Sequence, residues 1–226
     1  MLAKELISGT ISPLIISDTV NQAMNLMDEF KISQMPVIKS FDSDNKSLLG
    51  IISEDDILNL PDIYVTIDEV SNILKSHFIY ENQHIYDAIY LMGKNKLSII
   101  PVINSKNQYI GTINPTSIIK FLNKFTDINE PGGIIVLEMN TNDYSMAHIA
   151  QIIETQGSKI YNSYITQSTE FNTIEVTLKI NNDNIDAVLS ALEQNNYNIK
   201  YTFNNKKESF SKIEDNYESL MKYLNI

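Results

Sequence analysis

The chain predicts a mixed α/β and α+β protein, with two copies of a β-α-β-β-α unit, a separate β-α-β-β-α-β domain and a C-terminal helix. Three observations carry this expectation. Blocks of the first quarter recur, in the same order, in the second. Helical and strand-like spacings of apolar residues succeed one another along the chain. A stretch rich in Asp, Asn, Pro and Gly, Thr126 to Gly133, divides the duplicated part from the remainder of the chain.

The duplication is read from three matched blocks. Ala23-Met24-Asn25-Leu26-Met27 returns 65 residues later as Ala88-Ile89-Tyr90-Leu91-Met92. Ile32-Ser33-Gln34-Met35-Pro36-Val37-Ile38 returns at the same offset as Leu97-Ser98-Ile99-Ile100-Pro101-Val102-Ile103. Gly50-Ile51-Ile52-Ser53-Glu54-Asp55-Asp56 returns 61 residues later as Gly111-Thr112-Ile113-Asn114-Pro115-Thr116-Ser117. The offset falls because the polar connection Ser40 to Ser47 is longer than Asn104 to Gln108, and both have hairpin-loop composition.

Each copy reads alike. A short extended segment (Leu14 to Ile16, then Phe78 to Tyr80) precedes an amphipathic helix. Val20, Met24, Met27 and Phe30 share one face of the first helix, and Ile85, Ile89 and Met92 one face of the second. A Pro-Val strand follows, with the Pro expected at a strand start or edge because it cannot donate to a ladder. Then come a hairpin, a strand ending at the glycine-led block, and a helix from Ser53 or Asn114. Thr66 and Glu69 have capping-box spacing and predict a short helix through Lys75.

The glycine-led block carries the candidate chemistry. It reads as a strand end, a turn and a first helical turn, where backbone N–H groups lack partners. Ser53 and Asp56 can grip a small ligand there. They can equally serve the helix alone, as N-cap and as an acid in its first turn. In the second copy Asn114 replaces the hydroxyl residue and Ser117 the acid. Asn114 before Pro115 is a strong helix start, which favours structure over binding.

These units, with Pro-Val strands and a Gly-apolar-apolar-Ser-x-x-Asp end, resemble a tandem pair of CBS domains. The resemblance covers residues 1–62 and 63–126, with 127–133 as linker, and is similar to stand-alone CBS proteins of the acetoin-utilisation type. It implies a regulatory adenosyl ligand, an adenine nucleotide or S-adenosylmethionine, with no cofactor required. Ser53 and Asp56 would hold ribose or phosphate, with Pro36, Val37 and Ile38 as an apolar wall. Asn114, Ser117, Pro101 and Val102 would form a weaker second cleft. Glu54 and Asp55 add negative charge beside Asp56, and no Lys or Arg adjoins the motif. A phosphate ~5 Å from one carboxylate is opposed by roughly 3 kcal/mol at an effective dielectric of about 20. A ligand of low charge is therefore expected over a polyphosphate. The resemblance also implies a homodimer, and an output through a separate effector protein.

Beyond the linker, Ile134 to Met139 is an apolar strand and Ser145 to Gln156 a helix stopped by Gly157. Lys159 to Thr166 and the alternating Thr173 to Ile180 are strands. A helix bearing Ile185, Val188, Leu189 and Leu192 and a strand from Tyr197 to Phe203 complete a ferredoxin-like plan over 134–204. At this place and size the domain is similar to an ACT domain. That implies an amino-acid site near Asp143, although no glycine follows it, and Asp143 also suits a helix N-cap. In the tail, 205–226, Phe210, Ile213, Tyr217, Leu220 and Leu224 recur at helical spacing.

Composition narrows the function. The 226 residues are 43% hydrophobic and 20% charged, with a net charge of -11. That charge disfavours nucleic acid and anionic membrane surfaces as partners. With no cysteine there is no disulfide, thiolate nucleophile or Cys-based zinc site. His77, His84 and His148 are too scattered for a metal site. No nucleophile–base constellation or phosphate-binding glycine loop is present, so no catalytic residues are assigned and an enzyme is not expected. The first ten residues do not read as a secretory signal, and no apolar run approaches ~18 residues. A cytoplasmic location is expected. The alternatives are a ligand-free interaction module and an amino-acid sensor centred on Asp143.

Overall fold

The computed structural model describes residues 1–9, 11–42, 46–125, 130–168 and 172–204. The chain divides into two compact units, Met1–Leu122 and Asn123–Ile226. The tail expected to be helical lies outside the described residues.

In the first unit, copy one runs β1 (Leu14–Ile15), α1 (Val20–Phe30), β2 (Gln34–Ile38), β3 (Leu48–Ser53) and α2 (Glu54–Ile57). Copy two runs β4 (Ile79–Tyr80), α3 (Ile85–Asn95), β5 (Ile100–Ile103), β6 (Tyr109–Ile113) and α4 (Pro115–Phe125). Each forms a three-stranded sheet, in the orders β1-β2-β3 and β4-β5-β6. The α1 helix opens on a capping box: Gln22 N–H donates to Thr19 Oγ1 at 3.2 Å, and Thr19 N–H to Gln22 Oε1 at 2.7 Å. At the head of α3, His84 Nδ1 accepts from Tyr86 N–H. Val20, Ala23 and Met27, and their counterparts Ile85, Ala88 and Met92, are buried. Phe30, expected on the same face, lies at the last turn and is exposed.

Two expectations fail for a traceable reason. Pro36 sits inside β2, the central strand, rather than at a start or edge. It lies opposite Ile51, whose own N–H and C=O are both turned away to Lys75, so β3 asks no hydrogen bond of it. On its other flank β1 begins pairing at Val37, so no ladder bond is lost there either. Nor does a helix continue to Lys75. A 3-10 turn ends at Ile73, and Lys75 is extended, exchanging hydrogen bonds of 2.9 and 3.0 Å with Ile51.

That extended residue belongs to a reciprocal crossing. The segment before copy two pairs with the open edge of β3, through Lys75 and Ile51; the segment before copy one pairs with β6, through Ser8 and Thr112. The motif glycines make room for it. A Cβ on Gly50 would lie 2.9 Å from the Lys75 carbonyl oxygen, and one on Gly111 only 2.2 Å from Ile7 Cγ2. Further ties join the copies. Ser98 N–H donates to Gln34 Oε1 at 2.7 Å, and Ser33 N–H to Ser98 Oγ at 3.0 Å. The cores are also exchanged: Ala3, Leu6 and Ile51 pack into the second copy's cluster, and Ile99 into the first's.

The second unit contains β7 (Ile134–Asn140), α5 (Met146–Thr155), β8 (Ile160–Gln167), β9 (Thr173–Ile180), α6 (Asp186–Gln194) and β10 (Asn198–Phe203). The sheet is antiparallel in the order β10-β7-β9-β8, as the split β-α-β plan requires. Alternation along β9 is complete: Ile174, Val176, Leu178 and Ile180 are buried, with Ile149, Ile153, Val188 and Leu192 of the helices in the same core. Gly157, at φ +74, follows α5 in the left-handed conformation of a C-terminal cap. On the sheet, Glu138 and Glu175 lie directly opposite one another. Lys200 bridges them at 2.6 and 2.7 Å.

Candidate functional site

The candidate site forms where β3 ends and α2 begins. Gln34 faces Ser53 across the sheet, and Met35 faces Ile52. Ser53 is the N-cap of α2: its backbone is extended, and its Oγ accepts the Asp56 N–H at 3.3 Å. The same hydroxyl donates to Asp56 Oδ2. Ser53 is almost fully buried, while the Asp56 side chain keeps a quarter of its surface, 25%. The pair therefore sits at the rim of the fold with the carboxylate reachable.

A third group completes it. Lys75 Nζ lies 2.6 Å from Asp56 Oδ2. The sequence carries no cation beside the motif; the fold delivers one through the crossing segment. Burial pushes the Asp56 carboxyl up, but hydrogen bonds from Lys75 and Ser53 and the Lys75 charge outweigh it, leaving the group below its ordinary value. Asp56 is thus held as a carboxylate, an acceptor suited to paired hydroxyls. The sequence did contain one signal for Lys75. A glycine in mid-strand marks close approach by another backbone, and at Gly50 that backbone is the Lys75 carbonyl.

Pro36, Val37 and Ile38 are all buried. Val37 belongs to the core of the first copy, and it and Ile38 face Gly50 and Leu48, farther up the sheet than Ser53. The polar neighbour nearest Ser53 in register is Gln34, which no motif in the sequence marks; its side chain reaches Ser98 of the second copy.

The second copy repeats the geometry with neutral groups. Asn114 Oδ1 accepts from Ser117 N–H at 2.9 Å and from Ser117 Oγ at 3.2 Å. Asn114 Nδ2 donates to Ser8 Oγ at 3.4 Å. Ser8 takes here the place that Lys75 takes in the first copy, since each pairs with the corresponding residue of the motif strand. Pro101 and Val102 are buried, opposite Thr112 and Gly111. The acid and the cation are both replaced, so the two motif ends differ in charge.

In the second unit, Asp143 lies in a 3-10 turn, Thr141–Asp143, and accepts from Asn140 Nδ2 at 3.2 Å. It does not cap α5. Ser145 does, accepting the His148 N–H at 3.4 Å, because the turn places two residues between Asp143 and the first helical position. Among the described residues no group of three His, Asp or Glu side chains could hold a metal, and no helix is long and apolar enough to cross a membrane.

The family model of the CBS domain matches residues 13–62 and 67–124. The first unit is therefore a tandem CBS domain pair. Inosine-5'-monophosphate dehydrogenase of Methanocaldococcus jannaschii is 29% identical over 113 residues, 49% of this chain and 21% of that protein. An uncharacterized protein of the same organism is 31% identical over 119 residues, 50% of this chain and 36% of its own length. The chain thus spans well under half of these relatives. A solved CBS domain pair/ACT domain protein from Thermotoga maritima aligns at 18% identity with a TM-score of 0.47, covering 55% of this chain and 98% of that one.

Proposed function

We propose that this protein is a non-catalytic regulator in which the first cleft of the CBS pair senses a small adenine-containing ligand. One observation carries the reading. Ser53 and Asp56 are brought together where β3 ends and α2 begins, with Asp56 ionised, whereas the matching residues of the second copy have lost the acid. A carboxylate that accepts from two adjacent hydroxyls is suited to a ribose diol. Binding in the first cleft would bear on the crossing segment, because Lys75 touches both Asp56 and Ile51. The protein acts as a homodimer in the cytoplasm, and the output passes to a separate effector protein. Exposed Tyr86 and Tyr90 on α3 and Ile119 and Leu122 on α4 offer apolar surface for such contacts.

The test is a thermal-shift and titration panel of adenosine, AMP, ATP, S-adenosylmethionine, NAD and the common amino acids, on wild type and Asp56→Ala. Binding at 100 times the dissociation constant adds about 2.7 kcal/mol of native-state stability. A shift with adenine ligands that is lost in Asp56→Ala supports the reading. A shift with one amino acid alone would move the site to the ACT-like domain. No shift at all favours a second reading, a ligand-free interaction module. That reading has its own support, since Ser53, Asp56 and Lys75 already satisfy one another without a ligand.

A further inference from the structure

Among the described residues, helices cover only one face of the second unit's sheet. The buried residues of β9, Ile174 to Ile180 at every second position, pack with α5 and α6, so Thr177 and its alternates belong to the other face. The strand register carries that face across the sheet. Tyr164 lies opposite Thr177, Thr177 opposite Val136, and Val136 opposite Tyr201, a row that runs from one edge strand to the other. Phe203 lies opposite Ile134 in the next row. Tyr164, Tyr201 and Phe203 are each more than half exposed, at 54, 54 and 55%. The lysines of this face are engaged: Lys200 bridges Glu138 and Glu175, and Lys179 Nζ donates to the Gly132 carbonyl at 2.8 Å. What the face offers a partner is therefore aromatic and apolar.

The chain carries a segment that fits it. β10 ends at Phe203, on this face, and residues 205–226 follow. Their sequence places Phe210, Ile213, Tyr217, Leu220 and Leu224 along one seam at helical spacing, with Asp215 on the opposite side. In helical form the stretch from Phe210 to Leu224 is about 21 Å long, enough to cross four strands set about 4.8 Å apart. A tether as short as 204–209 gives an effective concentration on the order of millimolar, which favours this chain's own tail over a separate molecule.

We propose that residues 205–226 dock in the same chain as an amphipathic helix across the sheet face bearing Tyr164, Thr177, Val136 and Tyr201. The second unit then has three layers, two helices, a sheet and the tail, with the aromatic row as the seam of the outer pair. A partner protein reaches that row only by displacing the tail.

The experiment is disulfide trapping in the full chain, which has no cysteine of its own. Thr177→Cys at the centre of the face is combined in turn with Tyr217→Cys and Leu220→Cys on the seam, and with Asp215→Cys on the far side as control. Circular dichroism of each double variant checks that it folds as wild type does. A disulfide needs its two Cα atoms within about 7 Å, so under diamide at least one seam pair should close inside the monomer about tenfold faster than the control pair. Equal rates for seam and control overturn the docking. A crosslinked product of twice the chain's mass also overturns it and gives the face to a second copy. In a second measurement, Ile213→Ser with Leu220→Ser should raise the fluorescence of an added apolar dye several-fold, as the aromatic row is uncovered. No rise in dye binding overturns the proposal.

Discussion

Gly111→Ala tests the second copy's half of the crossing, where the segment before copy one packs on β6. The added Cβ would lie 2.2 Å from Ile7 Cγ2, whereas ordinary contact begins at 3.4 Å, so Ile7 must retreat by more than an ångström. Overpacking of this kind costs about 1–3 kcal/mol. The backbone adds to it, since φ at Gly111 is +155 and an L-residue held there costs about 1–3 kcal/mol more. A total of roughly 2–6 kcal/mol is expected from these two sources. Ile7→Ala alone removes a partly buried side chain and should cost less than the ~2–5 kcal/mol of a fully buried one. In the double variant the steric part disappears and the backbone part remains. Its destabilisation should fall short of the sum of the singles by at least about 1 kcal/mol. Urea denaturation followed by circular dichroism and tyrosine fluorescence measures all four proteins. Strict additivity would show that Ile7 does not press on Gly111 and would refute the close-packed crossing.

Other consequences are as direct. Because the folded Asp56 lies below its ordinary value of 3.8, its stabilisation is present above that value and is lost as pH falls through the lower folded one. Wild type should thus exceed Asp56→Asn by about 1 kcal/mol near neutrality, with the gap closing in urea titrations taken below that ordinary value. Lys200→Met leaves Glu138 and Glu175 opposed without their bridge. It should lower the thermal midpoint at pH 7, because like charges directly opposite on a sheet destabilise it; an unchanged midpoint would show that the bridge contributes nothing. Ser145→Ala should cost about 1 kcal/mol through its lost cap, while Asp143→Ala should be close to neutral in the same denaturation assay; the reverse order would restore Asp143 as the cap.

Much of this architecture is legible in the sequence because the signals are local. β9 alternates so regularly that its bounds can be read directly. Asn114-Pro115 announces α4, and Ser53 announces α2. The length of α2 is less legible: it ends at Ile57, shortly before Pro61, and Leu58 and Leu60 continue the apolar pattern past the helix. Thr66 and Glu69 do hydrogen-bond as a capping pair, yet the turn they open is 3-10 and yields to an extended Lys75. There a tertiary ladder with Ile51 overrides local propensity.

What stays hidden is what the other copy supplies. Asp56 reads as an acid among acids until Lys75 arrives from the segment leading into copy two, and Gln34 reads as a surface residue until Ser98 meets it. Duplication makes such partners hard to see, since each copy looks complete when aligned to the other. The crossing also lets the copies diverge: its backbone pairing is common to both, but the side chain it delivers is Lys75 on one side and Ser8 on the other. One fold thus carries two motif ends of different charge. Half of the difference, Asp56 against Ser117, lies inside the matched motifs; the other half, Lys75 against Ser8, is set by residues outside them, where comparing the motifs alone would not find it.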